Sequence, residues 1–321
     1  MSALRIAILS RNRNLHSIRR LLQEARKARI AVDVINPLDC QLVVDGPGSH
    51  LLMAGRQTPL YDAVLPRIGA SITDYGVSVV RQFETMGMYV VNGSRAIAES
   101  RDKLSGLQVL SGAGLRVPST VLSRTQRGMR MALPALGDFP VVLKLLEGTQ
   151  GVGVMLLHTP ISLGSVVEAL HGLGQDVLLQ KFIREGAGRD YRVFVVGNRV
   201  VASMERTAPE GEFRSNIHRG GVGRIVKLPR EFERTALVAA KTLGLEIAGV
   251  DLMADHRGPL VIEVNSSPGF EGLEAATGAN IAREIIRHIA GQARAWKRRG
   301  KRDRDRTKKR PGRNGPGRSK N

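Results

Sequence analysis

An apolar run, Gly249-Val-Asp251-Leu-Met, is interrupted by one carboxylate. After the turn Asp255-His-Arg-Gly258-Pro a second run, Leu260-Val-Ile-Glu263-Val-Asn265, is interrupted by another and ends on an amide. Side chains alternate along a strand, so Glu263 and Asn265 share a face, and a hairpin brings Asp251 to it. Two carboxylates between apolar neighbours are costly to bury without a compensating cation. An all-oxygen donor set suits magnesium or manganese held together with phosphate oxygens. Solvent-facing strand acids, the plainer alternative, fit poorly with the apolar runs they interrupt.

A second segment, Lys144-Leu-Leu-Glu147-Gly-Thr-Gln-Gly151-Val-Gly153, sets a lysine on an apolar strand before a glycine-rich loop. Glycines let backbone N–H groups approach an anion closely, and a lysine adds a point charge. An ordinary hairpin turn with a strand-end lysine fits these residues equally well. Asp190 and Arg192 alternate onto one strand face, followed by Arg206 and the polar stretch Phe213-Arg-Ser-Asn-Ile-His-Arg-Gly-Gly221. His218 there reads as a structural loop residue rather than a base. Ser10, Arg11 and Arg67 fall at the C-terminal ends of expected strands, where open α/β sheets present ligand sites, and are candidates to hold a substrate carboxylate; ordinary loop arginines fit equally well. Neither a G-x-x-x-x-G-K-[ST] loop nor a G-x-G-x-x-G turn after the first strand occurs.

Residues 1–95 alternate strand and helix signals: a run at Leu4–Leu9, helical spacing over His16–Arg29, short runs at Ala31–Ile35 and Ala63–Leu65, and a helix over Tyr75–Gly87. That order predicts a small parallel sheet faced by helices. Asn92-Gly-Ser94 reads as a turn and N-cap opening a helix that carries Arg101-Asp-Lys103. From Gly112 to about residue 290, β runs and hairpins mix with helices at Leu163–His171, Glu231–Leu243 and Ala279–Ala293, an α+β pattern.

The net charge of +20 is concentrated at one end. Residues 294–321 hold 14 Lys and Arg against Asp303 and Asp305, lack apolar periodicity, and are expected to be disordered. A single cysteine, Cys40, excludes a disulfide framework or Cys-rich zinc site and suits a reducing compartment. No apolar stretch is long enough for a membrane helix, and the opening reads as a strand rather than a signal peptide. A soluble cytoplasmic protein is expected.

Lys144, the 148–153 loop, Asp251 and Glu263-x-Asn265, in that order and spacing, resemble the ATP-grasp superfamily and within it the RimK family. The likeness extends through Pro66-Arg-Ile-Gly69, Arg101-Asp-Lys103, Val142-x-Lys144-x-x-Glu-Gly-Thr-Gln-Gly151, Phe213-Arg-Ser-Asn-x-His-Arg-Gly-Gly221, Ala248-Gly-Val-Asp251 and Glu263-Val-Asn-x-Ser-Pro-Gly269. It runs from residue 4 to about 290.

The resemblance implies an ATP-grasp fold behind a Rossmann-like pre-ATP-grasp domain. Residues 1–95 would form that first domain, 96–180 a central lid subdomain, 181–293 a C-terminal subdomain with the metal site, and 294–321 the tail. Lys103 and Lys144 would contact nucleotide phosphates, and the loop with Glu147, Gly148, Gln150, Gly151 and Gly153 would cover them. Lys181 and Phe182 would lie in the hinge that receives adenine through backbone atoms, although the family usually has an acidic residue where Lys181 stands. Asp190 would approach the ribose; Arg214, Ser215 and Asn216 the terminal phosphate, with Arg192, Arg214 and Asn216 as catalytic groups. Asp251, Glu263 and Asn265 would bind two divalent ions, and Arg206 would join the substrate residues.

The activity so implied is ATP-dependent addition of glutamate to the C-terminus of ribosomal small-subunit protein six through an acylphosphate. A cofactor or other small-molecule acceptor, such as a folate-like or deazaflavin compound, is the alternative, and a non-catalytic ribosome- or RNA-binding protein a third reading. Homo-oligomerisation is expected, and the basic tail reads as a tether to RNA, with a plain solubilising extension as the alternative.

Overall fold

The computed structural model describes residues 4–146, 153–215 and 220–308, with side chains described as far as 300. The first domain is built from β1 (Arg5–Leu9), α1 (His16–Lys27), β2 (Ala31–Ile35), an antiparallel trio β3 (Cys40–Val43), β4 (His50–Met53) and β5 (Arg56–Gln57), then β6 (Ala63–Pro66) and α2 (Thr73–Thr85). The main sheet is parallel in the order β2-β1-β6. β1 has helices on both faces, which is why Ile6, Ala7, Ile8 and Leu9 are all apolar and buried. Ile6 and Ile8 pack with Ile18, Leu21 and Ala25 of α1, while Ala7 and Leu9 pack with Val77, Val80 and Phe83 of α2. The β3–β5 trio has no counterpart in the sequence reading; its Cys40 and Leu51 extend the α2-side core.

Next come α3 (Ser94–Arg101) and α4 (Lys103–Gly112). The single helix expected here is two, because Asp102 adopts an extended conformation and its Oδ1 accepts from the N–H groups of Leu104 and Ser105, both at 2.9 Å. Residues 96–117 were expected with the lid sheet; Ala96, Leu110 and Val117 instead pack into the core of the C-terminal subdomain. The lid sheet comprises β7 (Thr120–Leu122), β8 (Val141–Leu145), β9 (Val154–Leu157) and β10 (Val177–Lys181), ordered β7-β10-β8-β9. It is backed by α5 (Gln126–Ala132) and α6 (Pro160–Gly172) through Met129, Leu163 and Val167.

The C-terminal subdomain is an antiparallel sheet of β11 (Arg189–Val196), β12 (Arg199–Thr207), β13 (Val222–Ile225), β14 (Ile247–Asp255) and β15 (Gly258–Asn265), in the order β13-β12-β11-β14-β15. One face packs on α7 (Arg230–Thr242) through Val193, Val195, Val250, Leu252, Ala236 and Ala240. On the other face Phe194, Val196, Met204 and Ile247 lie under α8 (Glu271–Thr277) and α9 (Ile281–Lys308). Farther along that second face the side chains become charged, and the site begins there.

In α9 Ile281, Ala282, Ile285, Ile286, Ile289, Ala290 and Ala293 form one helical stripe, buried between the first domain and the C-terminal sheet. Each large member contributes roughly 1.5–3 kcal/mol of burial. The start of the tail is corrected. Helix continues from 294 to Lys308, because Trp296 packs on Tyr89 and donates to the Gly87 carbonyl (3.2 Å), and Lys297 pairs with Asp62. Residues 309–321 lie outside the described residues. No described helix is long and apolar enough to cross a membrane.

Within the expected Asn92-Gly-Ser94 turn Gly93 occupies the N-cap of α3, and Glu84 accepts from the Ser94 N–H at 2.8 Å. The buried Asn92 amide locks the domains together. Its Nδ2 donates to the carbonyls of Ile247 (2.7 Å) and Ser266 (2.8 Å), and its Oδ1 accepts from the N–H groups of Glu246 (2.8 Å) and Ile247 (3.0 Å).

Candidate active site

Strand register assembles the site. Asp251 stands opposite both Arg192 on β11 and Glu263 on β15; Gly249 stands opposite Asn265, and Asp190 opposite Arg206. Directly opposed residues share a face, so one face collects Asp190, Arg192, Arg206, Asp251, Glu263 and Asn265. The hairpin inferred from alternation is therefore present, with a bulge after Asp251 that shifts the pairing to Leu252–Val261. Gly249 is required for close approach: a Cβ there would lie 2.7 Å from Cβ of Pro268 and 3.3 Å from Nη1 of Arg192.

Asp251 is buried and pairs in fork fashion with Arg192, whose Nη2 lies 2.8 Å from Oδ2. Arg206 Nη2 approaches the same Oδ2 at 3.1 Å. Burial alone would raise the Asp251 pKa, but Arg192 and Arg206 outweigh it and hold the carboxyl below its ordinary value. Arg206 was expected to meet substrate; it is instead buried and structural. Its Nε and Nη2 both bind Asp190 at 2.6 Å, which makes it a bridge between two carboxylates. Burial would lower its pKa, and the charges of Asp251 and Asp190 reverse that and raise it. Asp190, expected near the ribose, has both oxygens engaged by Arg206 and a hydrogen bond from the buried Ser215.

Glu263 has no hydrogen-bond partner among the described residues. It is open to solvent yet deep in the cleft, and that crowding together with Asp251 raises its pKa. Lys144 lies in the same field: burial lowers its pKa, Glu263 and Asp251 oppose the shift, and Lys103 adds to it. The two lysines singled out for phosphate contact and the two carboxylates singled out for metal thus meet in one cleft. Lys103 Nζ donates to the carbonyls of Leu145 (2.9 Å) and Leu146 (2.7 Å), at the mouth of the loop that begins after β8. Gly153 closes that loop with φ +73°, its carbonyl accepting from Leu145 N–H at 2.9 Å. Glu147, Gly148, Gln150, Gly151 and Asn216 lie outside the described residues.

Arg214 forks onto Glu212 (2.9 and 2.6 Å) and donates to the Val154 carbonyl (3.2 Å), which ties the 212–215 segment to the lid sheet. The Arg214 side chain holds the Glu212 pKa down to about 2. Phe213 meets Phe182 edge to face, with centroids 6.5 Å apart. The Lys181 N–H is committed to the Ser119 carbonyl (2.8 Å) and its side chain is exposed. In the first domain Ser10 is buried and bonds locally to Asn12, Arg11 donates to Ser71 (2.8 Å), and Arg67 Nη2 donates to the Pro268 carbonyl (2.7 Å).

The donor set fits a magnesium-type ion. No cluster of three or more His, Cys, Asp or Glu that could hold a metal occurs among the described residues; Asp251, Glu263 and Asn265 would supply two carboxylates and an amide. Asn265 Nδ2 donates weakly to the Gly249 carbonyl (3.4 Å), which leaves the amide oxygen as an acceptor, and Glu263, with no hydrogen-bond partner among the described residues, is offset only through space by Lys144, Arg192 and Lys103. Magnesium keeps several waters and shares phosphate oxygens, so a sparse protein set is what it uses.

A pre-ATP-grasp domain joined to a four-stranded lid sheet and a five-stranded sheet with paired carboxylates defines an ATP-grasp ligase. Residues 100–289 match the RimK-like ATP-grasp domain and residues 4–97 the RimK PreATP-grasp domain. The chain is 48% identical over 286 residues to "Probable alpha-L-glutamate ligase 1" of Shewanella amazonensis, covering 89% of this chain and 95% of that protein. It is 49% identical over 291 residues to "Probable alpha-L-glutamate ligase" of Vibrio parahaemolyticus, covering 91% and 97%. The fold is similar to that of the ATP-grasp ligase PsnB complexed with minimal precursor, with a TM-score of 0.72 at 20% identity, covering 91% and 100%. PsnB complexed with a phosphomimetic variant of that precursor, Mg and ADP gives 0.70 at 20% identity, covering 91% and 99%. The chain belongs to the RimK family of ATP-grasp ligases, ATP-dependent enzymes that form carbon–nitrogen bonds.

Sequence reasoning overlooked Glu212, the interdomain role of the Asn92 amide and the pairing of Arg206 with two carboxylates. It quoted Arg101 only within a motif. None of these carries a local signal, because each acts on a partner distant in sequence.

Proposed function

We propose that this enzyme adds glutamate to the C-terminal carboxylate of a protein, with ribosomal small-subunit protein six as acceptor. The observation that carries the ligase reading is the meeting of Asp251, Glu263 and Asn265 with Lys103 and Lys144 in one cleft, in a chain nearly half identical to proteins named glutamate ligases. A protein terminus as acceptor is consistent with precursor peptides bound by another ligase of this fold.

A carboxylate resists amines until one of its oxygens becomes a leaving group. In this reading the acceptor carboxylate attacks the γ-phosphorus of ATP, ADP departs, and the acylphosphate forms. The glutamate amine then attacks the acyl carbon, the C–O bond to phosphate breaks, phosphate leaves with the electron pair, and the amine loses its proton. Two divalent ions would supply charge neutralisation to the phosphates, held by Asp251, Glu263 and Asn265. Lys144 and Lys103 would bind phosphate oxygens and Arg192 would orient Asp251. Arg214, Ser215, Asn216 and the 147–153 loop would close over the nucleotide. Lys181 and Phe182 would receive adenine through backbone atoms other than the Lys181 N–H, which is already bonded. The basic segment from 294 onward would add a salt-sensitive attraction to RNA, which brings the enzyme to the ribosome that carries its substrate.

The test is ATP- and glutamate-dependent phosphate release with mass spectrometry of ribosomal proteins for added glutamate. Asp251→Ala together with Glu263→Ala should abolish release; undiminished glutamate-dependent release in that variant refutes the site. Activity on a small molecule with unmodified ribosomal proteins refutes the acceptor.

A further inference from the structure

Interior arginines of this protein pair with acids: Arg192 with Asp251, Arg206 with Asp190, Arg214 with Glu212, Arg116 with Asp255 and Arg20 with Glu274. Two half-buried arginines do not. Arg67 and Arg101 have no carboxylate partner among the described residues, and Nε of Arg101 is buried with no hydrogen-bond acceptor. Arg101 reaches back from the end of α3 to the Ile68 carbonyl and to Thr73 Oγ1 (2.8 Å), so its guanidinium lies against the segment that Arg67 begins. Arg11 joins the same segment through Ser71, and a Cβ on Gly69 would sit 3.9 Å from its Nη2. Burial and the neighbouring charge of Arg101 push the Arg67 pKa down to about 10. Like charges crowded in a cleft destabilise the protein unless an anion joins them.

We propose that Arg67 and Arg101, with Arg11 at the rim, form the carboxylate-binding subsite for the amino acid that supplies the amine. The proposal rests on the glutamate-ligase reading and adds to it where the donor lies. The location suits it: Arg67 sits at the C-terminal end of β6 and holds the Pro268 carbonyl, three residues beyond Asn265 on the chain leaving β15. An amino acid anchored there has its amine near the metal and phosphate groups.

The chemistry distinguishes donor from acceptor. The acceptor carboxylate loses its charge when phosphorylated and must do so beside the metal and Lys144. The donor keeps its carboxylates ionised throughout, so permanent cations suit it. Glutamate brings two carboxylates to three guanidinium groups, whereas glutamine leaves one more cation uncompensated. The cluster therefore binds the donor and selects for its acidic side chain.

The full chain is assayed with Mg-ATP, L-glutamate and a synthetic peptide of the acceptor's C-terminus. Arg67→Gln and Arg101→Gln each should raise KM for glutamate about 10- to 100-fold, the scale of one lost charge-assisted hydrogen bond. KM for the peptide and affinity for Mg-ADP should stay within about twofold, and the preference for glutamate over glutamine should narrow. An unchanged KM for glutamate in folded variants, or a rise in KM for the peptide instead, overturns the assignment. Should both fail to fold, Arg11→Gln, at an exposed side chain, decides: a several-fold rise in KM for glutamate is expected, and no rise overturns the proposal. A wild-type enzyme that ligates glutamate to no acceptor refutes the glutamate-ligase reading itself, a result distinguishable from failure of the subsite.

Discussion

Replacing Arg206 with methionine removes a cation that two buried carboxylates share. Three contacts disappear together: two at 2.6 Å to Asp190 and one at 3.1 Å to Asp251. Asp251 retains Arg192, but Asp190 retains only the Ser215 hydroxyl. Stranding one partner of a buried pair costs about 3–5 kcal/mol. At about 2 °C per kcal/mol for a chain of this size, the melting temperature should fall by about 6–10 °C. The sign with pH follows from Asp251, whose folded pKa lies below its ordinary value. Its pairing stabilises the fold above the ordinary carboxylate range and is lost as pH falls through the depressed value. In Arg206→Met both carboxyls titrate higher and protonate more readily, so the deficit against wild type should shrink between pH 7 and 5. Arg206→Met with Asp190→Asn should recover more than half of the loss, because a neutral amide no longer needs the cation. Thermal melts followed by circular dichroism measure all of this. A deficit below about 1 kcal/mol, within the range of an exposed ion pair, or one that grows on acidification, refutes the bridging role.

Gly249→Ala should cost about 1–3 kcal/mol from overpacking, since its Cβ meets Pro268 at 2.7 Å. Because Pro268 holds Arg67, KM for glutamate should rise as well. Steady-state kinetics alongside a melt check both, and a stable variant with wild-type KM contradicts the packing argument. Truncation after Gly300 retains Trp296 and Lys297 and should leave turnover on a free peptide intact while weakening co-sedimentation with ribosomes at low salt. Truncation after Ala293 should in addition lower the melting temperature; unchanged co-sedimentation in both refutes the tether.

What could be read from the sequence was what local periodicity encodes. β1, β14 and β15 stand where apolar runs placed them, and alternation alone put Asp251, Glu263 and Asn265 on one face. The RimK resemblance is confirmed by both domain matches. Partner choice was not legible. Nothing near Arg206 in the chain indicates that it serves Asp190 and Asp251 rather than substrate, and nothing near Asn92 indicates that its amide serves β14. Short elements were missed for a related reason: the four-residue strands β3 and β4 lack the alternation that marks longer ones, and tertiary packing of Cys40 and Leu51 decides them. The start of the tail was placed too early because one tryptophan, docked against Tyr89, anchors the first residues of a segment otherwise rich in charge.

The charges of the cleft divide along the same lines as the chemistry. In the cleft Asp190, Asp251 and Glu263 meet Arg192 and Arg206 from the same sheet and Lys144 and Lys103 from beyond it, which leaves the region only slightly positive before anything binds. Nucleotide and divalent metal can enter such a place together, because the ion carries most of the compensation that the phosphates need. The first-domain side is different. Arg67 and Arg101 repel each other and Arg11 is held to the same segment through Ser71, with no matching acid among the described residues, so a species entering there must bring its own negative charge. A ligase that joins two carboxylate-bearing substrates must neutralise one carboxylate chemically and keep the other ionised. On the function proposed here, a nearly balanced cleft beside a net-positive cluster would separate those two requirements in space.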